Sequence, residues 1–132
     1  MIVIDASVLL EVLLRSPAGL RAEARVFAAG ESLHAPHIID VEVAQTLRRL
    51  VARAGLDPVR AVAALADLSA FAVDRYAHNW LLPRVWELRA NLTPYDATYV
   101  ALAETLGAPL VTCDSRLAGA PGNRATIELI PL

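Results

Sequence analysis

The sequence predicts an α/β fold in which a mainly parallel sheet lies between two layers of helices. Short apolar segments typical of buried strands alternate with longer segments of helical periodicity, and two of the strand segments end in an aspartate. Strands that alternate with helices are typical of parallel sheets covered on both faces. The 132 residues fit a single domain over 1–132 and are enough to bury a substantial core.

Five segments are predicted to form strands. The first is the apolar run IVI, which ends at Asp5, and the fourth, in PLVTCD, leads to Asp114. A short apolar run bounded by turn residues is typical of a strand buried on both faces. The predicted strands are 2–4, 32–35, 71–74, 109–112 and 125–130.

Six segments are predicted to form helices, and their starts and stops carry recognisable signals. Ser7 is a candidate N-cap for the first, and Asp57 followed by Pro58 has the pattern of an N-cap and a first helical position. Glycines at 30, 55 and 107 end three of them. The third has apolar residues spaced by 4, 4 and 3, which puts them on one face. The predicted helices are 7–14, 20–29, 37–54, 58–69, 79–90 and 94–106.

Composition excludes several classes of function. All 12 basic residues are arginine, so no catalytic lysine is available, and a net charge of −2 argues against a broadly basic nucleic-acid surface. No apolar run reaches the ~18 residues of a membrane span, and the apolar start carries Asp5 and Glu11, so we predict mature core rather than a signal peptide. The single Cys113 excludes a disulfide framework and favours a reducing, cytoplasmic location.

Four acids are placed where a parallel sheet would bring them together. Asp5 and Asp114 follow strands, whereas Glu42 and Asp96 lie near the starts of helices. Strand ends and the helix starts that follow them share one edge of such a sheet, where ligands bind. Clustered carboxylates repel one another unless a cation joins them, and oxygen ligands favour Mg²⁺ or Mn²⁺ over Zn²⁺.

Each acid also has a simpler interpretation. Asp96 follows Thr93 and Pro94 in the pattern of a helix cap, and Asp114 fits a turn cap in the segment DSRL. Glu42 fits a solvated helix face. Asp5 is the hardest to explain without a ligand, because a carboxylate at the end of a buried strand is costly unless it is paired or bound to metal.

The segments MIVIDASVLLEVL, APHIIDVEV and TPYDATYVALAETLGAPLVTCD, in this order, resemble the PIN-domain family, and within it the VapC-type toxins of type II toxin–antitoxin modules. The resemblance covers essentially the whole chain. It implies a three-layer α/β/α PIN-like sandwich and an Mg²⁺- or Mn²⁺-dependent endoribonuclease. It also implies a homodimer and a VapB-like antitoxin that inserts into or covers the active-site groove.

The resemblance assigns roles to individual positions. It implies that Ser7 and Thr112 are polar residues that support the acids. No further acid follows closely after Asp114, so a fifth acidic ligand there is not expected. The four residues implied as catalytic and metal-binding are Asp5, Glu42, Asp96 and Asp114.

The densest basic cluster lies on the third predicted helix. Arg49 is seven residues, about two turns, after Glu42, so Arg48 and Arg49 are candidates for contact with RNA or an antitoxin, although a solvated helix face explains them equally well. For Trp80 and Trp86, core packing is the default expectation, and contact of at least one of them with a partner is the alternative.

Three other functions fit parts of the pattern. A receiver domain also has an acidic Mg²⁺ pocket but normally uses a lysine, which this chain lacks. A phosphatase of the D-x-D type would need an acid at the position of Ser7. A metal-binding signalling or interaction domain without catalytic activity remains the alternative that requires an assay.

Overall fold

A computed structural model describes residues 1–132 and confirms the predicted α/β class. The five strands form one sheet in the order β3-β2-β1-β4-β5, and every neighbouring pair is parallel. β1 is the central strand, with Val3 opposite His34 of β2 on one side and Leu110 of β4 on the other. The strands are β1 (Ile2–Ile4), β2 (Leu33–Pro36), β3 (Asp74–Tyr76), β4 (Leu110–Thr112) and β5 (Ile127–Leu129).

Helices cover both faces of this sheet, as predicted. The first four pack against one another on one side, and α6, with α5 packed against it, covers β1, β2 and β4 on the other. A 3₁₀ turn at Asn79–Leu81 precedes α5. The helices are α1 (Ala6–Leu14), α2 (Gly19–Val26), α3 (Ile38–Arg53), α4 (Pro58–Ala70), α5 (Leu82–Glu87), α6 (Pro94–Leu106) and α7 (Ser115–Ala118).

The strand order places a crevice at the carboxyl ends of β1 and β4. The chain runs from β1 outward through β2 to β3, and then returns to the other side of β1 to form β4. The crevice outside a parallel sheet lies where the direction of strand addition reverses, which here is between β1 and β4. Asp5 and Asp114 follow these two strands directly or within two residues, so the topology brings them to that edge.

Several predicted boundaries are wrong. Asp5, not Ser7, is the N-cap of α1, because the Asp5 backbone is extended and its carboxylate accepts a hydrogen bond from the Val8 amide. The second helix ends at Val26 rather than at 29, with Phe27 as its C-cap. The short α7 was not predicted, and Asp114 caps it.

The third strand and the helix after it also differ from prediction. β3 starts at Asp74, where 71–74 was predicted, because residues 74–76 are the ones that pair with β2 at this edge of the sheet. Its charged Arg75 is tolerated there by a salt bridge to Asp40. The predicted helix over 79–90 is a 3₁₀ turn followed by the two-turn α5, since Pro83 lies in the first turn of the α-helical part.

Both tryptophans lie at the surface, which contradicts the expectation of core packing. Trp80 is 48% exposed and Trp86 is 68% exposed. The Arg89 guanidinium, in the turn after α5, lies 4.8 Å from the ring centroid of Trp86 and makes a cation–π contact with it. None of the seven α-helices has the length and hydrophobicity required of a membrane span.

The junction of α1 and α2 leaves no room for a side chain at Gly19. A Cβ at this position would lie 2.5 Å from the Glu11 carbonyl oxygen, which is backbone and has little freedom to move. We therefore expect Gly19→Ala to lower the free energy of unfolding by ~1–3 kcal/mol, although alanine is the better helix former. Urea denaturation measures the change.

Gly119→Ala is the matched control. A Cβ at this position would meet nothing closer than 4.0 Å, and the backbone φ is negative. We therefore expect the free energy of unfolding to change by no more than ~0.5 kcal/mol. Equal effects of the two substitutions would contradict this account of the α1–α2 contact.

Candidate active site

Asp5 carries a buried carboxylate at the end of the central strand, and both oxygens of this carboxylate accept hydrogen bonds. The Ser7 hydroxyl donates to Oδ1 at 2.5 Å and the Val8 amide at 3.1 Å, while the Thr112 hydroxyl donates to Oδ2 at 2.5 Å. Burial nevertheless raises the pKa of Asp5, and these hydrogen bonds offset it only in part. Asp5 is therefore satisfied by neutral donors and lacks a cationic partner.

Ser7 and Thr112 hold Asp5 in place and tie it to the fourth strand. The Ser7 hydroxyl accepts a hydrogen bond from the Cys113 amide, and the Thr112 hydroxyl accepts one from the Asp114 amide, each at 2.9 Å. Each hydroxyl therefore donates its one proton to Asp5 and accepts a hydrogen bond from a backbone amide in the segment after β4. Both side chains therefore fix the orientation of the Asp5 carboxylate relative to the end of β4.

Glu42 lies in the second turn of α3 and is held by a tyrosine. The buried Tyr99 hydroxyl donates to Oε2 of Glu42 at 2.6 Å. Burial raises the pKa of Glu42, and the negative charges of Asp96 and Asp5 raise it further. The pKa of Tyr99 is raised by burial and by Glu42, so the phenol keeps its proton and remains a donor.

Asp96 lies in the first turn of α6, where Thr93 provides the cap. The Thr93 hydroxyl accepts a hydrogen bond from the Asp96 amide at 3.3 Å. The pKa of Asp96 is raised by burial and by the charge of Asp114, and lowered by Thr93 and by Arg116. Asp96 therefore takes part in this cap through its backbone amide, and the cap does not require its carboxylate.

Asp114 is the one acid of the four with a cationic partner. It caps α7 by accepting from the Arg116 amide at 2.9 Å, and its two oxygens accept from Nε and Nη2 of Arg116 at 3.2 and 2.9 Å. These hydrogen bonds lower the pKa of Asp114. The predicted turn-cap role is thus seen, and it coexists with the placement of Asp114 at the edge of the sheet.

The four acids form a chain of neighbours whose charges affect one another. The negative charges of Asp5 and Asp96 raise the pKa of Glu42, and the charge of Asp114 raises the pKa of Asp96. No three His, Cys, Asp or Glu side chains stand in the arrangement of a formed metal-binding cluster. The donors nevertheless fit a hard divalent cation, because all of them are carboxylates and burial raises the pKa of Asp5, Glu42 and Asp96, none of which has a salt bridge to an arginine.

Two residues of the site were missed from the sequence. Tyr99 is three residues after Asp96 and on the same side of α6, so its spacing was a usable signal within an otherwise apolar stretch. Arg116 is two residues after Asp114, in the segment DSRL, whose pattern predicts only a turn.

An open cleft of about 580 Å³ borders Glu42; we call it the α3–α6 cleft. Its walls include Ile38, Val41, Gln45 and Arg49 of α3 and Tyr95 of α6. A second cavity of about 470 Å³ extends from Arg49 to Asp114. Arg49 lines both spaces, whereas the exposed Arg48 lines neither.

Comparison with known proteins identifies the family. Residues 2–123 match the PIN domain. Ribonuclease VapC9 of Mycobacterium tuberculosis is 44% identical to this chain over 131 residues, which cover 99% of each protein. Ribonuclease VapC12 of the same species is 40% identical over 130 residues, which cover 98% of this chain and 99% of that protein.

Solved structures share the fold. The VapBC2 structure from Rickettsia felis, bound to a DNA fragment from its promoter, contains a chain that matches with a TM-score of 0.70 at 14% identity, covering 98% of each chain. VapC20 of M. tuberculosis matches with a TM-score of 0.68 at 21% identity, covering 91% of this chain and 96% of that one. The chain belongs to the PIN-domain family and is a member of its VapC group.

Proposed function

We propose that this protein is a divalent-metal-dependent endoribonuclease that cleaves RNA phosphodiester bonds as the toxin of a type II toxin–antitoxin module. The observation that carries the proposal is the row of acids at the sheet edge, of which Asp5, Glu42 and Asp96 have raised pKa values and no cationic partner. Relatives that are 40–44% identical over nearly the whole chain are ribonucleases by name, which supports the choice of substrate.

The four acids would hold the cation, which we propose to be Mg²⁺ or Mn²⁺. A bound divalent cation supplies Lewis-acid chemistry toward water and a phosphodiester. Asp5 is oriented for this role by the hydroxyls of Ser7 and Thr112, and Glu42 by Tyr99. Such supporting hydrogen bonds fix the direction of a ligand oxygen and are commonly as important as the ligand itself.

The partners follow from the same assignment. The neighbouring structures include toxin–antitoxin complexes, so we propose a VapB-like antitoxin that blocks the site, together with a homodimeric toxin. An RNA-cleaving toxin acts where its substrate is, so we propose a cytoplasmic location for this protein. Arg49 is the more favourable of the two predicted arginines for contact with RNA, because it alone lines the spaces beside the acids.

The first prediction concerns the metal. Purified protein freed of antitoxin should cleave RNA with Mg²⁺ or Mn²⁺ and stop when EDTA is added, and its melting temperature should rise with either ion because the ion relieves repulsion among the acids. Asp5→Asn should lose both the cleavage and the rise. The exposed Asp67 offers the control, since Asp67→Asn removes the same charge from α4, a helix that carries none of the four acids. Undiminished cleavage in excess EDTA would exclude the proposed chemistry.

The second prediction separates ligand from cap at the start of α6. Asp96→Asn should fold normally, as shown by circular dichroism, and should reduce RNA cleavage by orders of magnitude, because a neutral amide is a poorer ligand for a hard cation. Thr93→Ala removes the cap itself and should cost ~1 kcal/mol of stability while keeping the metal-induced rise in melting temperature. A folded Asp96→Asn protein that cleaves at the wild-type rate would reduce the site to three acids.

The third prediction concerns Arg116, which competes with a cation for Asp114. Arg116→Gln removes both the competing donors and a positive charge, so it should tighten Mn²⁺ binding, measured by calorimetry. The gain should be modest, about two- to fivefold, because an ion pair this exposed is strongly screened by solvent. Arg53→Gln changes the same charge at the far end of α3 and should leave the affinity unchanged. Weaker binding in Arg116→Gln would show that Arg116 supports the site instead.

A further inference from the structure

Tyr95 is an exposed aromatic ring beside the acids that has no partner within the chain. It is the second residue of α6, directly before Asp96, and is 58% exposed. Its hydroxyl makes no hydrogen bond, and its ring stacks on no other aromatic ring. Tyr95 differs from the other exposed aromatic residues because it lines the α3–α6 cleft together with Glu42, so a ligand in that cleft would cover the ring.

The space in front of Tyr95 combines three kinds of group. The α3–α6 cleft has an apolar wall, which includes the 69% exposed Val41, and also carries the amide of Gln45 and the guanidinium of Arg49. An aromatic face stacks on a nucleobase, an amide pairs with a base edge, and a guanidinium binds phosphate. The volume of about 580 Å³ is within the range of ~300–1,000 Å³ typical of small-molecule sites.

We propose that the α3–α6 cleft binds one unpaired nucleotide of the RNA substrate, with its base stacked on Tyr95 and a phosphate on Arg49. The inference rests on the proposed function, because Glu42 lines the same cleft and so places this nucleotide next to the bond that is cleaved. A base in a duplex is already stacked on both faces, so the site selects single-stranded RNA or a loop.

The adjoining cavity gives the strand a path from Glu42 toward Asp114. It shares Ala6, Thr46 and Arg49 with the α3–α6 cleft and ends at Asp114 and Leu132. A strand held on Tyr95 therefore continues over Arg49 toward Asp114. Tyr95 and Arg49 are binding residues in this proposal, distinct from the four acids.

The test measures RNA binding in EDTA, where the proposed cleavage does not occur. Fluorescence anisotropy with a labelled single-stranded oligoribonucleotide compares the wild type with Tyr95→Ala, Tyr95→Phe and Trp86→Ala. We expect Tyr95→Ala to weaken binding by roughly five- to a hundredfold, the range for loss of one base stack. Tyr95→Phe keeps the ring and should retain most of the affinity, and Trp86→Ala removes an exposed ring of α5, outside the cleft, and should change nothing.

A series of oligonucleotides with one abasic position each identifies the stacked base. One abasic substitution should weaken binding to the wild type and have no further effect on Tyr95→Ala, because ring and base act as a pair. A perfect duplex should bind equally to both proteins. With Mg²⁺, Tyr95→Ala should raise KM on unstructured RNA more than it lowers kcat.

The outcomes separate this inference from the proposed function. Wild-type affinity in Tyr95→Ala, equal loss in Tyr95→Phe, or no single abasic position that depends on Tyr95 would each overturn the nucleotide site. So would a Tyr95→Ala protein that binds RNA normally but binds its antitoxin weakly, since the surface would then belong to the protein partner. Tyr95-dependent binding without any metal-dependent cleavage would support the site and overturn the proposed nuclease.

Discussion

The buried carboxylate of Asp5 is the constraint on which the arrangement of the site depends. A charged group at the end of the central strand of a sheet is tolerated only if its oxygens are satisfied, and here two hydroxyls and one amide satisfy them. Those hydroxyls belong to Ser7 and Thr112, which in turn accept hydrogen bonds from the backbone after β4. One carboxylate therefore fixes the start of α1, the end of β4 and the direction in which the chain leaves toward Asp114.

The four acids are stabilised in different ways, and this difference determines how each would respond to a cation. Asp5 is held by hydroxyls and Glu42 by a phenol, all of which are neutral donors that leave the negative charge in place. Asp114 alone is neutralised, by a guanidinium on the surface. Recruiting Asp114 to an ion would therefore mean breaking an ion pair. Glu42 accepts the Tyr99 hydrogen bond on Oε2 and has Oε1 free for a ligand, whereas both oxygens of Asp5 already accept hydrogen bonds.

The sequence was a good guide where a local pattern and the tertiary structure point to the same answer. The apolar runs of β1 and β4 and the proline and glycine boundaries of α4 and α6 are such cases. Prediction from the sequence failed where a contact between residues distant in sequence determines the local structure. The Ser7 hydroxyl donates to Asp5 rather than capping its own helix, so the N-cap of α1 is Asp5, two residues before the predicted one. The start of β3 is determined by pairing with β2, and the Tyr99–Glu42 contact joins residues 57 positions apart.

The α3–α6 cleft matters for the proposed RNA binding because the chain has no lysine and a net charge of −2. A strongly basic protein holds RNA through many phosphates at once, so that a single stacked base contributes little to selectivity. This chain has one arginine at the cleft and acids beside it, and without a cation those acids repel the phosphate backbone. In the proposed site, affinity for RNA then comes from a small number of local contacts, which makes recognition sensitive to whether a base is free to stack.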